Sequence, residues 1–237
     1  NLLPLRPAVL AGHLAVALGL FVLAVRLRRG TTLSGSAVVG AALVAYVTWA
    51  VGGAVWLIAP ALVYLLYARL WWTPTSAPDA ERPHTVHNVF SVVSVGVAWL
   101  FAAWVLDEPL VIVAYAAAYA GSLAMLGVDR LAERREGWRS RRVAVQRMLI
   151  GAAPSAAVQA LGVLAALTLT RWADPWMAGG LALAAGALCA MASAWAVARW
   201  SHVIDADHVP LFIRRVRRAT VVAATSAPGL LALPLLS

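Results

Sequence analysis

The chain has no lysine and is poor in charge and in cysteine. Charged residues make up 12% of its 237 residues, about half of the roughly 25% that soluble domains carry. The one cysteine, Cys189, lies in an apolar run, which excludes a disulfide framework, a CxxC redox pair and a thiolate metal site. No Walker-type loop, GxGxxG or GxSxG motif is present, so nucleotide-binding and hydrolase machinery of the soluble kinds is also absent.

Apolar sequence takes up most of the chain, with 62% hydrophobic residues. Because one membrane-spanning helix needs about 20 apolar residues, the length allows about eight spans and no separate globular domain. The sequence therefore predicts an all-α, polytopic membrane helix bundle that forms one domain over residues 1–237. The predicted spans are residues 8–25, 35–51, 54–72, 88–106, 110–128, 148–170, 177–198 and 219–236. The last is short and contains Pro228 and Pro234, and seven spans remain if it does not cross.

Arginine is distributed unevenly among the loops between these spans. The chain has 19 basic residues, all arginine, and 17 of them fall in loops 1, 3, 5 and 7. Since juxtamembrane arginine is retained on the cytoplasmic side, these loops are predicted to be cytoplasmic and both termini to be outside, in a plasma (inner) membrane. This orientation accounts for the net charge of +9 without a nucleic-acid partner.

Three polar clusters lie in the predicted cytoplasmic loops, and the first is GVDRLAERREG. Its carboxylates Asp129, Glu133 and Glu136 fall at i, i+4 and i+7, on one face of a helix. Carboxylates so spaced can hold Mg²⁺, and Arg134 beside them can bind phosphate oxygens. The alternative is a solvated helix end, whose acids and arginines pair with each other over an anionic membrane surface.

The second cluster is ERPHTVHNVFS in loop 3. It combines Arg82 with His84, His87 and Asn88, and the last three fall at i, i+3 and i+4. Such a set can bind phosphate or a metal, and a histidine can move a proton near neutral pH. The alternative is a helix start at the membrane interface, with its polar groups satisfied by water and headgroups.

The third cluster is SHVIDADHVP in loop 7. His202, Asp205, Asp207 and His208 have the ligand types of a divalent-metal site. All four converge only if the segment is irregular, because Asp207 would point elsewhere on a regular helix. A solvated loop before the RRVRR run is the alternative.

One feature between two predicted spans indicates a turn, and one feature inside a span indicates packing. Gly52 and Gly53 alone separate the second and third spans, which predicts a tight turn. His13 stands alone on an apolar helix, where a packing role is favoured over a ligand role.

The first 135 or so residues resemble an integral-membrane family that includes phytyl-phosphate kinases and is related to phytol and dolichol kinases. The similarity begins in RLRRGTTLSGSAVVGAALVAYVTWAVGGAVWL, continues loosely at Arg82 and Asn88, and is clearest in AGSLAMLGVDRLAE. In that last segment Asp129 matches the acidic residue of the family motif, although Arg130 stands where the family has Thr.

The resemblance implies transfer of a phosphoryl group from a nucleotide, typically CTP, to a prenyl phosphate, with Mg²⁺ as cofactor. Together with the clusters, it suggests Asp129, Glu133 and Glu136 as metal ligands and His87 for proton transfer. The groups expected to contact phosphate are Arg82, His84, Asn88 and Arg134. The expected partners are an isoprenoid lipid and membrane lipids, and a homo-oligomer is left open.

Two other function classes stay open at the level of sequence. A membrane prenyltransferase or terpene cyclase acting on an isoprenyl diphosphate would also use acidic clusters and Mg²⁺ over an apolar cavity. A non-catalytic transporter or scaffold would need none of the three clusters for chemistry.

Overall fold

The structure, a computed structural model, describes residues 7–28, 34–66, 86–108, 111–133, 175–204 and 210–232. Over these residues the chain is helical and contains no strand. The α-helices are α1 (Pro7–Arg28), α2 (Gly35–Gly52), α3 (Ile58–Leu66), α4 (Val86–Leu106), α5 (Ile112–Glu133), α6 (Pro175–Ile204) and α7 (Leu211–Ser226). Short 3₁₀ helices at Ala54–Leu57 and Ala227–Ala232 precede α3 and follow α7.

The predicted all-α class is confirmed over the described residues. Helices α1, α2, α4, α5 and α6 coincide, to within about two turns at each end, with the predicted spans 8–25, 35–51, 88–106, 110–128 and 177–198. The predicted span 148–170 lies outside the described residues. Two helical stretches, Gly35–Gly52 and Val89–Leu106, are long and apolar enough to cross a membrane by length and composition. The count of about eight spans stays a prediction.

The helix at the predicted last span, 219–236, begins eight residues before residue 219, and the span itself stays a prediction. Helix α7 begins at Leu211 and therefore includes Arg214, Arg215, Arg217 and Arg218, each of which is partly covered. The apolar residues before and between them are exposed, and Phe212 is 73% exposed. The helix turns its basic side toward the bundle and its apolar side away from it. The arginines therefore belong to the helix and not to a loop before it.

Helix α5 is the centre of the bundle. Every residue from Val111 to Met125 is buried, and α5 contacts α3, α4, α6 and α7, with its largest interface on α6. Small side chains make this possible, since the AYAAAYAGSLA segment lets neighbouring backbones approach closely. At Gly121 an added Cβ would lie 2.8 Å from the Ser193 Oγ of α6.

Helices α1 and α2 form an antiparallel pair beside this centre. Ser34 caps α2 by accepting a hydrogen bond from the Ala37 N–H at 3.2 Å. His13 of α1 makes a 3.0 Å hydrogen bond through Nδ1 to the Tyr46 hydroxyl and packs edge-on against Trp49. The predicted packing role of His13 is confirmed.

The predicted turn at Gly52 and Gly53 is also confirmed. Gly53 has φ of +81°, which favours glycine, and its N–H bonds to the Trp49 carbonyl at 2.8 Å. The turn leads directly into the 3₁₀ helix at Ala54–Leu57.

Pro60 creates a polar contact in the core. In an α-helix the carbonyl of Trp56 would accept from the residue four positions later, but that residue is Pro60, which has no N–H. The Tyr115 hydroxyl of α5 donates to this carbonyl instead, at 2.6 Å. One turn further along α5, the buried Tyr119 hydroxyl has no partner among the described residues, and the same is true of the buried Thr48 hydroxyl.

The outer surface of the bundle is apolar. Large exposed side chains occur on α1, α2, α4, α6 and α7, among them Leu18, Leu43, Phe101, Leu188 and Phe212. So many large apolar side chains exposed on the described helices are typical of a lipid or protein interface, because soluble monomers rarely expose large apolar patches.

Candidate functional site

Hydrogen bonds between helices fix how α4, α5 and α6 are aligned. Ser122 of α5 donates through Oγ to the Val92 carbonyl of α4 at 3.0 Å. Cys189 of α6 donates through Sγ to the Ala117 carbonyl of α5 at 3.2 Å, and Ser193 lies against Gly121 four residues later. Helix α5 is therefore parallel to α6, while the short connection from α4 makes α4 and α5 antiparallel.

Helix α7 returns along the same group in the direction of α4. Its Thr225 hydroxyl lies 2.7 Å from Ser193 Oγ, and its Arg217 guanidinium donates to the Val203 carbonyl near the end of α6. Trp99 of α4 donates through Nε1 to Ser226 Oγ at 2.9 Å, close to the end of α7. These contacts make α7 antiparallel to α6 and parallel to α4.

One end of the bundle, called the polar end below, therefore contains the starts of α4 and α7 and the ends of α5 and α6. The start of α2 and the end of α1 belong to it too, because α2 ends beside Leu100 in the second half of α4. All eight arginines within the described residues lie at the polar end: Arg26, Arg28, Arg130, Arg199, Arg214, Arg215, Arg217 and Arg218.

Residues from all three predicted clusters occur at the polar end. His87 and Asn88 are in the first turn of α4, Asp129 is in the last two turns of α5, and His202 is in the last turn of α6. Eight residues past the contact between Gly121 and Ser193, about 12 Å along its axis, α5 reaches Asp129. The same number of residues along α6, which include the non-helical Trp200, leads to the residue before His202.

The contact between Ser122 and Val92 gives a similar level for the start of α4. His87 lies five residues, about 8 Å, from Val92, and Asp129 lies seven residues, about 10 Å, from Ser122. Neighbouring helices pack about 8–10 Å apart. His87 and Asp129 therefore lie at similar levels on the adjacent helices α4 and α5, and His202 lies near that level on α6, which packs against α5.

Several predicted site residues lie outside the described part of the chain: Arg82, His84, Arg134, Glu136, Asp205, Asp207 and His208. The predictions for them are untested. Glu133 is described and closes α5, one turn beyond Asp129. Asp107 and Glu108, the other two described acids, lie at the opposite end of the bundle, in the turn after α4.

The donor set at the polar end suits a magnesium ion in number and type. Mg²⁺ in proteins is usually bound by one or two carboxylates plus water and substrate phosphates, and Asp129 and Glu133 supply two carboxylates one turn apart. Within the described ranges no three His, Cys, Asp or Glu residues form a metal-binding group.

Sequence reasoning missed the organisation of the polar end around Arg217 and Trp200. Helix α6 is kinked at Trp200, whose φ of −116° and ψ of 19° are not helical, and the Trp200 ring packs edge-on against Trp195 at 5.2 Å between centroids. Beyond the kink, Arg217 of α7 caps the Val203 carbonyl. The signal was the period of LFIRRVRRATVV, in which the four arginines share one side of a helix.

Comparison of the chain with models of known protein families, with curated proteins and with solved structures gives no match.

Proposed function

We propose that the chain is a polytopic membrane protein of about eight spans whose polar end faces the cytoplasm. The apolar outer surface supports a lipid environment. The gathering of every described arginine at one end supports the orientation, because arginine beside spans is retained on the cytoplasmic side.

We further propose that the polar end transfers a phosphoryl group from a nucleotide such as CTP to a prenyl phosphate. The observation that carries this proposal is the common level of His87, Asp129 and His202 beside the partly covered arginines of α7. Transfer of this kind depends mainly on positioning and neutralising phosphate charge, and it needs no covalent catalyst on the protein.

In the reaction, an oxygen of the prenyl phosphate attacks the terminal phosphorus of the nucleotide. The bond from that phosphorus to the bridging oxygen breaks, which releases a nucleoside diphosphate and leaves a prenyl diphosphate. Asp129 and Glu133, with Glu136, would hold Mg²⁺, which supplies positive charge to the phosphate oxygens. His87 would hold or accept the proton of a protonated prenyl phosphate.

Phosphate contacts are assigned to basic and amide side chains on either side of these carboxylates. Arg82, His84 and Asn88 would provide them from the segment that begins α4, and Arg134 from the segment that follows α5. The cluster of His202, Asp205, Asp207 and His208 is a second candidate for metal or phosphate. Guanidinium groups suit this task because they bind phosphate oxygens in pairs.

The test is a matrix of nucleotides against prenyl phosphates of different length, with Mg²⁺ present and absent. We expect transfer from at least one nucleotide, and Asp129→Asn to reduce its rate on the order of 100-fold by removing preorganised charge. Asp107→Asn is the matched control, since this acid lies at the opposite end of the bundle, and it should leave the rate unchanged.

Two outcomes would contradict the proposal. One is no transfer for any combination of nucleotide and lipid in a folded preparation, with Asp129→Asn indistinguishable from the parent protein. The other is release of inorganic diphosphate from an isoprenyl diphosphate without any nucleotide, which would identify a prenyltransferase or a terpene cyclase.

A further inference from the structure

A shallow groove of about 560 Å³ runs between the end of α6 and α7 at the polar end. Its lining residues are Trp200, Val203, Ile204, Arg217, Thr220 and Val221. Val203 is 48% exposed and Trp200 45% exposed, so the groove opens on the outer surface of the bundle. In the proposed orientation this surface meets the lipid of the cytoplasmic leaflet.

Two contacts on α6 define the position of the groove. The edge-on packing of Trp200 against Trp195 holds the indole ring at the kink, where it forms part of one wall. The bond from Arg217 to the Val203 carbonyl joins the segment beyond the kink to α7, which forms the other wall.

Among the described residues that line it, the groove combines apolar walls with a single charged side chain. Arg217 is partly buried, and a guanidinium has five N–H donors. Among the described residues its one hydrogen bond is to Val203, so donors are left over that can bind two phosphate oxygens in parallel. The Thr220 hydroxyl already donates to the Val216 carbonyl at 2.9 Å, which leaves Arg217 as the anion-binding group.

We propose that this groove binds the phosphate monoester of a long isoprenoid chain, with the phosphate on Arg217 and the chain along Trp200, Val203 and Val221. The ligand would reach the groove sideways from the bilayer. Charge complementarity favours a phosphorylated lipid, and its apolar walls favour a hydrocarbon chain over a nucleotide. The choice of an isoprenoid rests on the proposed function.

The test measures equilibrium binding of radiolabelled geranylgeranyl monophosphate to the full chain in nanodiscs of phosphatidylcholine, without any nucleotide. We expect saturable binding that unlabelled geranylgeranyl monophosphate displaces. Three competitors should each bind at least about 10-fold more weakly: geranylgeraniol, inorganic phosphate and phosphatidate. The first lacks the phosphate, the second lacks the chain, and the third has two chains instead of one.

Two variants remove different parts of the groove. Arg217→Gln should weaken binding about 10- to 100-fold, since a charged hydrogen-bonding partner of the phosphate is lost. Val221→Trp should weaken binding to a similar degree by filling the groove while it keeps the charge. Arg26→Gln is the matched control, because Arg26 is an exposed arginine of the polar end on α1, and it should bind like the parent.

Wild-type affinity in both Arg217→Gln and Val221→Trp would overturn the proposal, and so would equal competition by phosphatidate. Val221→Trp covers the case in which Arg217→Gln fails to fold. The binding assay also separates this proposal from the proposed function. Binding at the groove without phosphoryl transfer would contradict only the proposed kinase activity. Transfer at an unchanged rate in Val221→Trp would contradict only the proposed binding at the groove.

Discussion

Removing the hydroxyl group should destabilise the protein at one tyrosine of α5 and not at the other. Tyr115 and Tyr119 are one turn apart and both are buried, and their rings pack edge-on at 5.0 Å between centroids. Among the described residues, only the Tyr115 hydroxyl of this pair has a hydrogen-bond partner. It donates to the Trp56 carbonyl at 2.6 Å. The same chemical change, Tyr→Phe, therefore tests the hydrogen bond with ring size and burial held nearly constant.

The Tyr115→Phe change should be costly because Pro60 cannot replace the lost donor. The bond disappears and the Trp56 carbonyl loses a partner in the core, which together cost about 2 kcal/mol. For a chain of this length that lowers the Tm by roughly 4 to 8 °C. Tyr119→Phe removes a hydroxyl that has no partner among the described residues, so it should leave the Tm unchanged or raise it by up to about 4 °C.

Thermal unfolding of the two variants in one detergent, followed by intrinsic fluorescence, gives the comparison directly. The sign of the difference between the variants matters more than either shift, because detergent affects both equally. Equal shifts, or a larger loss for Tyr119→Phe, would refute the assignment of the Tyr115 hydroxyl to the Trp56 carbonyl.

Two further predictions concern glycines at helix interfaces, both read from the Tm. Gly96→Ala should destabilise the bundle by about 1–3 kcal/mol, because an added Cβ collides with the buried ring of Tyr119. Gly121→Ala should cost about 1–3 kcal/mol more than Gly180→Ala, since a Cβ at Gly121 meets Ser193 Oγ at 2.8 Å and one at Gly180 meets nothing within 4 Å.

Gly180→Ala also controls for helix propensity. Alanine is favoured over glycine in a helix by about 1 kcal/mol, so this variant should be as stable as the parent protein or more stable. If all three alanine variants behaved alike, close packing at Gly96 and Gly121 would not explain the interfaces of α5.

The positions of the helices followed well from apolar runs, for a physical reason. The uncharged run VVSVGVAWLFAAWVL ends at Leu106, where α4 also ends, and the acids Asp107 and Glu108 follow it directly. The approach failed at α7, where arginine was read as a loop signal. Arg217 shows the reason, because a long side chain can lie along a helix and still reach a polar partner at the Val203 carbonyl.

The candidate site was predictable in part. The sequence predicted that His87, Asp129 and His202 lie at the same end of a helix bundle, and the helix alignment puts them near one level at the polar end. Their level depends on tertiary contacts such as Ser122 with Val92, which no local pattern encodes. The kink at Trp200 was likewise beyond prediction, since no proline or glycine accompanies it.

The burial of α5 has a consequence for how the protein is made. A helix that packs against neighbours on all sides is not fully packed until those neighbours have been synthesised. Two of the neighbours of α5, namely α6 and α7, follow it along the chain. At about 5–20 residues per second, synthesis of the roughly 100 residues between the middle of α5 and the end of α7 takes roughly 5 to 20 s. During that interval the alanine-rich α5 lacks its contacts with α6 and α7, so we expect a factor that shields this surface to raise the yield of folded protein.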